Sequence, residues 1–482
     1  MNKVAIVLSL TFLLGKESPF SFNGYVDFAH ISRLSDYSII DIPYRMGSID
    51  FFHQNENISL NGNFTLEYQL RRDSYFLESK NPQDFHLDMR ELYSTFSGPN
   101  FELRVGKQIH SWGNVDENSP LDNASAFDYY YIFLLGRERK MATLSGALDY
   151  YIGNLKLNAV FSPIHTTNRL PLGDDDFPIT LPIYPDPLEM FPIKNLPYEG
   201  GIYLTYSLNN SDISFSYFSG YDRIFHFKGV NQYYRKQNAA IKPSPDLVFG
   251  YRKTNVLGLG ITLLNNYFTL RYDAGLFNTI DEDESIERPY NGPLKDPVTG
   301  GPYYDRDTLS YPIQENATYQ QSTFQLETEL PFSINFIVQY FNHEMIDYNS
   351  ADTLPDVEID IPGFVYNPEE MSPKDLFSPG MGVPLAILTD KAAILILEKT
   401  FMNEQLNVSL TTMLDLGDYE GVEGMSGSLT EYKIEYNITQ DFLGLLGVTK
   451  VIGSKDHPDG EQYQFNKMED FSHFRFELKY FF

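Results

Sequence analysis

The residues able to do chemistry cluster between positions 84 and 125. Arg90, Glu91, Glu102, Arg104, Lys107 and Gln108 crowd the segments "DMRELYSTF" and "FELRVGKQ". Trp112, Asp116 and Asp122 follow in "HSWGNVDENSPLDNAS". Charges of both signs, an amide and the chain's 1 tryptophan are groups that can hold and sort a polar solute. They replace part of its hydration and fix its path. They are a poor catalytic set. Neither G-x-S-x-G nor H-E-x-x-H occurs, and the 9 His are scattered without metal-ligand spacing. A Ser and a His meeting across strands is the one enzymatic arrangement left open. Our reading is no enzyme, no metal site and no cofactor.

What holds these residues follows from composition and pattern. Aromatics make up 15% of 482 residues, with 35 Tyr and 37 Phe. No apolar run is long enough for a membrane-spanning helix, except at the extreme N-terminus. There, Lys3 precedes an apolar stretch from Val4 to Leu14, the form of a secretory signal. We place it at 1–20, with cleavage between Ser18 and Phe22, and read 21–482 as a single domain. With 0 Cys, disulfide scaffolds and thiolate metal sites are excluded. A net charge of −29 excludes nucleic-acid binding and suits a cation-attracting interior.

Period two organises the chain. Ile58, Leu60, Gly62, Phe64, Leu66, Tyr68 and Leu70 alternate with Ser59, Asn61, Asn63, Thr65, Glu67, Gln69 and Arg71. One face is greasy and the other wet, as in a strand between lipid and water. The pattern recurs in pairs joined by tight turns at Gly98–Asn100, Ile152–Asn154, Asn209–Asn210, Asn265–Asn266, Leu330–Phe332, Met402–Glu404 and Gln440–Asp441. Eighteen strands are predicted: 22–33, 44–53, 58–72, 84–97, 100–110, 140–151, 154–163, 199–208 and 211–221, then 250–264, 267–279, 317–330, 333–344, 388–401, 404–416, 426–438, 443–453 and 470–482. Alternation is weak at 44–53, but even parity and the "NEN" turn at 55–57 support a strand there. "KAAILILEKT" is apolar on both faces and fits least well, so the count is sixteen to eighteen.

Segments 164–198, 222–246, 281–316 and 345–386 are long, polar and non-alternating. Short turns on one side and long loops on the other describe a bacterial outer-membrane barrel. In lipid the sheet must close, because no water satisfies an open edge. The alternative, a large secreted β-sandwich or propeller, would have to bury every apolar face inside. Tyr480 and Phe482 end an alternating strand and resemble the recognition signal of barrel assembly. The expected fold is an all-β, transmembrane antiparallel barrel with a polar lumen.

Gly106, Lys107 and Gln108, then Trp112 and Gly113, resemble a motif of an outer-membrane family catalogued as a domain of unknown function, itself similar to alginate-export barrels. Where that family carries an Asn-Pro segment, Ser119-Pro120 and Asp122-Asn123 stand. The likeness covers roughly 84–175 and implies a porin-like barrel.

The expected function is therefore an outer-membrane channel passing small or oligomeric solutes through a polar lumen, cation-preferring, narrowed by an inward-folded loop. A plugged barrel that displays loops or docks an envelope complex, or a carrier of hydrophobic molecules with a lateral opening, stay open. Expected partners are membrane lipid, lipopolysaccharide and the barrel-assembly machinery. A homo-oligomer, and divalent cations at acidic clusters 174–176, 281–287 and 352–360, are also compatible. A tilted strand climbs roughly 2.5 Å per residue, which sets Trp112 about 30 Å above the turn at Asn100. At that height it is either a girdle residue or part of the constriction.

Overall fold

The computed structural model describes residues 20–68, 85–133, 138–171, 176–177, 185, 189–235, 244–287, 306–357, 366–419 and 425–482. Among them, eighteen strands form one antiparallel sheet. They are β1 (Ser21–Arg33), β2 (Tyr44–Asn55), β3 (Ile58–Tyr68), β4 (Phe85–Ser97), β5 (Phe101–Gln108) and β6 (Thr143–Ile152). Next come β7 (Leu155–Ser162), β8 (Glu199–Ser207), β9 (Ser211–Tyr221), β10 (Lys253–Leu264), β11 (Phe268–Ile280) and β12 (Asn316–Leu330). The sheet ends with β13 (Ile334–Asn349), β14 (Lys391–Phe401), β15 (Leu406–Asp415), β16 (Gly427–Asn437), β17 (Phe442–Ile452) and β18 (His473–Phe481). Each strand pairs with the next, and β18 pairs back onto β1 from Tyr25↔Phe481 to Arg33↔His473. The barrel is closed, so no edge is left unpaired.

Side chains sort by parity, as expected. On β5, Leu103 and Val105 are exposed outward. On β18, His473, Arg475 and Glu477 are buried inward, while Tyr480 and Phe482 lie exposed with the outward row. The outer surface is a belt of large apolar side chains, among them Phe22, Phe28, Phe161, Phe215 and Tyr432. Such a surface is stable in a bilayer and not in water. Among the described residues no helix is long and apolar enough to cross a membrane.

The two doubtful strands, β2 and β14, are both present. Two loop readings need correction. Segments 222–246 and 281–316 are not irregular throughout. They carry His226–Arg235, Ser244–Gly250 and Arg306–Pro312, which pair into a separate three-stranded sheet. Alternation failed to reveal it because the strands are short and a bulge at Phe227/Gly229 breaks the period. The strand predicted at 140–151 begins at Thr143, because Lys140–Met141 pairs instead with Ala126–Phe127.

The core is built from inward wall residues and loop residues together. It lies where loops fold into the barrel. Tyr129, Tyr131, Phe133, Leu385, Phe465 and Phe471 belong to one buried cluster. Trp112, Phe218, Phe277, Tyr319 and Met381 belong to a second.

Candidate functional site

The chain leaves the wall after Gln108, whose buried side chain donates to the Ser145 carbonyl at 3.1 Å. The Glu91 carboxylate accepts the next backbone N–H, from Ile109, at 2.8 Å. His110 Nε2 meets Ser145 Oγ at 2.8 Å. Burial, with Arg104 nearby, pushes the His110 ring down to about 4, so it is neutral at pH 7. Trp112 is buried inside the barrel, not at the lipid interface. Its Nε1–H donates to Asn158 at 2.8 Å, and its ring stacks on Tyr203 and meets the edge of Phe218.

Gly113 has φ +107°, and an added Cβ would collide with Ser119. That conformation turns the chain so that Asn114 N and Val115 N both donate to Asp273 Oδ2, at 2.7 and 3.0 Å. Ser119 Oγ donates to the same oxygen at 2.8 Å. Asp116 then accepts from Arg271 at 2.9 Å and Gln325 at 2.6 Å. Asn118 donates to Gln339 at 3.1 Å. Asp122 accepts the Trp112 backbone N–H at 3.2 Å and pairs with Lys140. Burial pushes the Asp122 carboxyl up, against the pull of Lys140. The loop then crosses to the opposite wall, where the Arg45 guanidinium lies 4.2 Å over the Tyr131 ring and Tyr131 O–H donates to Glu67 at 3.1 Å.

A second loop docks beside it. Arg252 is wholly buried and reaches Asp222 at 2.7 Å, Glu315 at 2.9 Å and the Ser378 carbonyl at 2.6 Å. Gln321 accepts the Val383 N–H at 2.8 Å. Nothing in the spacing of these residues announces the clamp.

Between the first loop and the inner face of β13–β16 lies a cavity of about 270 Å³. The loop contributes Asp116, Glu117, Phe133 and Arg139; the wall contributes Ile337, Ile394, Ile396, Glu398, Ser409 and Lys433. Its charged groups are not equally available. Asp116 and Glu117 side chains are 58% and 53% exposed, whereas Arg139 and Lys433 are 11% and 15% exposed. Arg139 is held by Glu117 at 3.3 Å and Lys433 by Glu435 at 3.3 Å.

The residues singled out in the sequence fall into different places. Asp116 alone of them lines the cavity. Trp112, Asp122 and Gln108 anchor the loop. Arg104 faces inward and pairs with Asp149 at 2.9 Å, and Glu102 lies in the same inward row, opposite Asp149. Arg90 and Glu91 are consecutive yet both turn inward, because Arg90 is the extra residue of a bulge opposite Asn63/Phe64. Arg90 donates to the Lys140 carbonyl at 3.1 Å. Lys107 pairs in register with Leu92 and Leu144, in the outward row of Val105, but its ammonium reaches back to Asp88 at 3.1 Å, in the row of buried Thr65.

The acidic cluster at 281–287 is engaged by the protein's own cations. Buried Lys228 pairs with Asp281 and reaches Asp283 at 3.0 Å, and Lys253 meets Glu282 at 3.2 Å. In the 174–176 run, Asp176 pairs with Arg33; 174 and 175, like 1–19 and part of 352–360, lie outside the described residues. Among the described residues no group of three His, Cys, Asp or Glu could hold a metal ion.

Neither a family model nor a curated protein matches the sequence. Among solved structures, the chain is similar to Acinetobacter baumannii OccAB4 at 11% identity and a TM-score of 0.48, over 97% of this chain and 99% of that one. Pseudomonas aeruginosa OccK2 (OpdF), crystallised in complex with glucuronate, gives 10% identity and 0.47, over 96% and 97%. The Pseudomonas aeruginosa outer membrane protein OpdK gives 10% and 0.46, over 96% and 99%. The likeness is to outer-membrane barrels of similar length. None of these matches supports the resemblance to a domain of unknown function or to alginate-export barrels drawn from Gly106–Gly113.

Proposed function

We propose that the protein is a passive channel of the bacterial outer membrane, admitting small solutes and preferring cations. The observation that carries this reading is the cavity left between the inward-folded loop and the inner face of β13–β16, which we take as the solute's passage. A loop that merely plugged the barrel would gain nothing from leaving polar wall groups such as Ser409 and Thr411 uncovered there. The size of the passage favours single small molecules over oligomers. Cation preference rests on the two exposed carboxylates and on the net charge of −29. In this reading lipid and lipopolysaccharide surround the belt, and the outward row ending at Tyr480 and Phe482 is the handle for the assembly machinery.

Purified protein in planar bilayers tests this. The expected result is stepwise current in KCl, with a reversal potential in a salt gradient that reports K⁺ preferred over Cl⁻. Absence of current in any salt favours the plugged barrel, for which the extensive docking of both loops is the supporting observation. Anion preference with normal current would leave the channel and remove its cation selectivity.

A further inference from the structure

The inner faces of a water-filled barrel are ordinarily polar. One stripe of this lumen is not. The run "KAAILILEKT" places Ala393, Leu395 and Leu397 toward lipid and Ala392, Ile394 and Ile396 toward the lumen. Ile337 of β13 pairs with Ile396, so aliphatic side chains lie side by side on the inner wall. Across the gap stands Phe133 of the inward loop. Apolar surface facing water costs roughly 25 cal/mol per Å², which favours a solute able to cover it. In the same lining, Asp116 and Glu117 pair with Arg271 and Arg139 yet expose more than half of their side chains, while Arg139 and Lys433 are covered. An apolar wall facing a ring, with accessible carboxylates next to it, fits a molecule with a compact apolar body and a positive head.

We propose that the passage selects amphipathic organic cations: a primary or quaternary ammonium on a small aromatic or aliphatic body. The ammonium is drawn to Asp116 and Glu117, whose field is focused by the low-dielectric wall. The body slides along Ile337, Ile394 and Ile396, with only the exposed edge of buried Phe133 opposite them. The cavity of about 270 Å³ suits a single-ring molecule. An apolar anion of equal size meets the same wall but the wrong charge, and a hydrophilic cation meets the right charge but gains nothing from the wall.

This rests on the channel reading, and bilayer measurements separate the two. Permeability ratios are taken from reversal potentials with benzylammonium, ethanolammonium and benzoate, each against K⁺. A size filter passes ethanolammonium faster, because it is smaller. Wall selection inverts that order: we expect benzylammonium to exceed ethanolammonium by at least threefold, and benzoate by more. In Ile396→Thr, also β-branched but smaller and polar, the inversion shrinks toward the size order. In Glu117→Gln the preference of benzylammonium over benzoate falls. K⁺ current with benzylammonium no faster than ethanolammonium overturns the proposal and leaves the channel standing. No K⁺ current from the unaltered protein overturns both.

Discussion

At the scale of single residues, the decisive contact is between Asp273 and the loop. One carboxylate oxygen accepts two backbone N–H groups and a hydroxyl. Asp273→Ala leaves those donors without their acceptor and costs on the order of 3 kcal/mol of loop docking. Trp112 reports it, because the chain has 1 tryptophan and that ring is buried with its N–H bonded. Native emission is expected to be blue-shifted and shielded from acrylamide. In Asp273→Ala it should shift red and quench, while single-channel conductance rises. Unchanged emission and conductance would mean that the loop is held elsewhere. Gly113→Ala acts at the same joint. A side chain at φ +107° is strained and meets Ser119, so we expect the same changes, at about 1–3 kcal/mol.

At the scale of elements, the outer three-stranded sheet is fastened by charge. Lys228, on its middle strand, meets Asp281 and Asp283, and His226 Nε2 lies 3.6 Å from Asp281. Burial alone would raise the Asp281 carboxyl, but hydrogen bonds and charge from His226 and Lys228 hold it down at about 2. A depressed carboxylate stabilises the fold above its ordinary value of about 4, and that contribution, about 2 kcal/mol, disappears as pH falls toward 2. Protection factors for amide exchange in His226–Arg235, corrected for the intrinsic rate at each pH, should therefore fall between pH 4 and 2. In Asp281→Asn they should be low already and change little across that window. The sheet's existence was hidden from the sequence, where Gly229 interrupts the alternation. The barrel strands were legible because each face meets one solvent over many residues. β14 was the hard case because its inner face is aliphatic like its outer one, and that same anomaly marks the passage. Arg252 and its partners come from segments far apart in the chain, so no local pattern could bring them together.

At the scale of the whole molecule, the barrel is a scaffold whose inner wall and inward loops make the core together. Period two alone separates Tyr480 and Phe482 from Arg475 and Glu477 along β18 and the residue after it, and the two rows face outward and inward respectively. It could not tell that the chain after Gln108 crosses the lumen, since that depends on contacts such as Asp116 with Gln325, 209 residues away. Closure depends on β18 finding β1, and the Phe482 backbone exchanges two hydrogen bonds of 3.0 Å with Gly24. Removing Phe482 is expected to lower the amount of barrel in the membrane severalfold, read by heat-modifiable migration in gels; an unchanged yield would exclude the C-terminal row as an assembly handle. The central claim is that solute passes between the loop and β13–β16. With 0 native cysteines, Ser409→Cys gives one thiol in that passage and nowhere else. Its current in a planar bilayer, recorded before and after a water-soluble cationic methanethiosulfonate, is the most direct measurement. The account predicts a stepwise fall in current that the unaltered protein does not show; full modification of the thiol with undiminished current would place the pathway elsewhere.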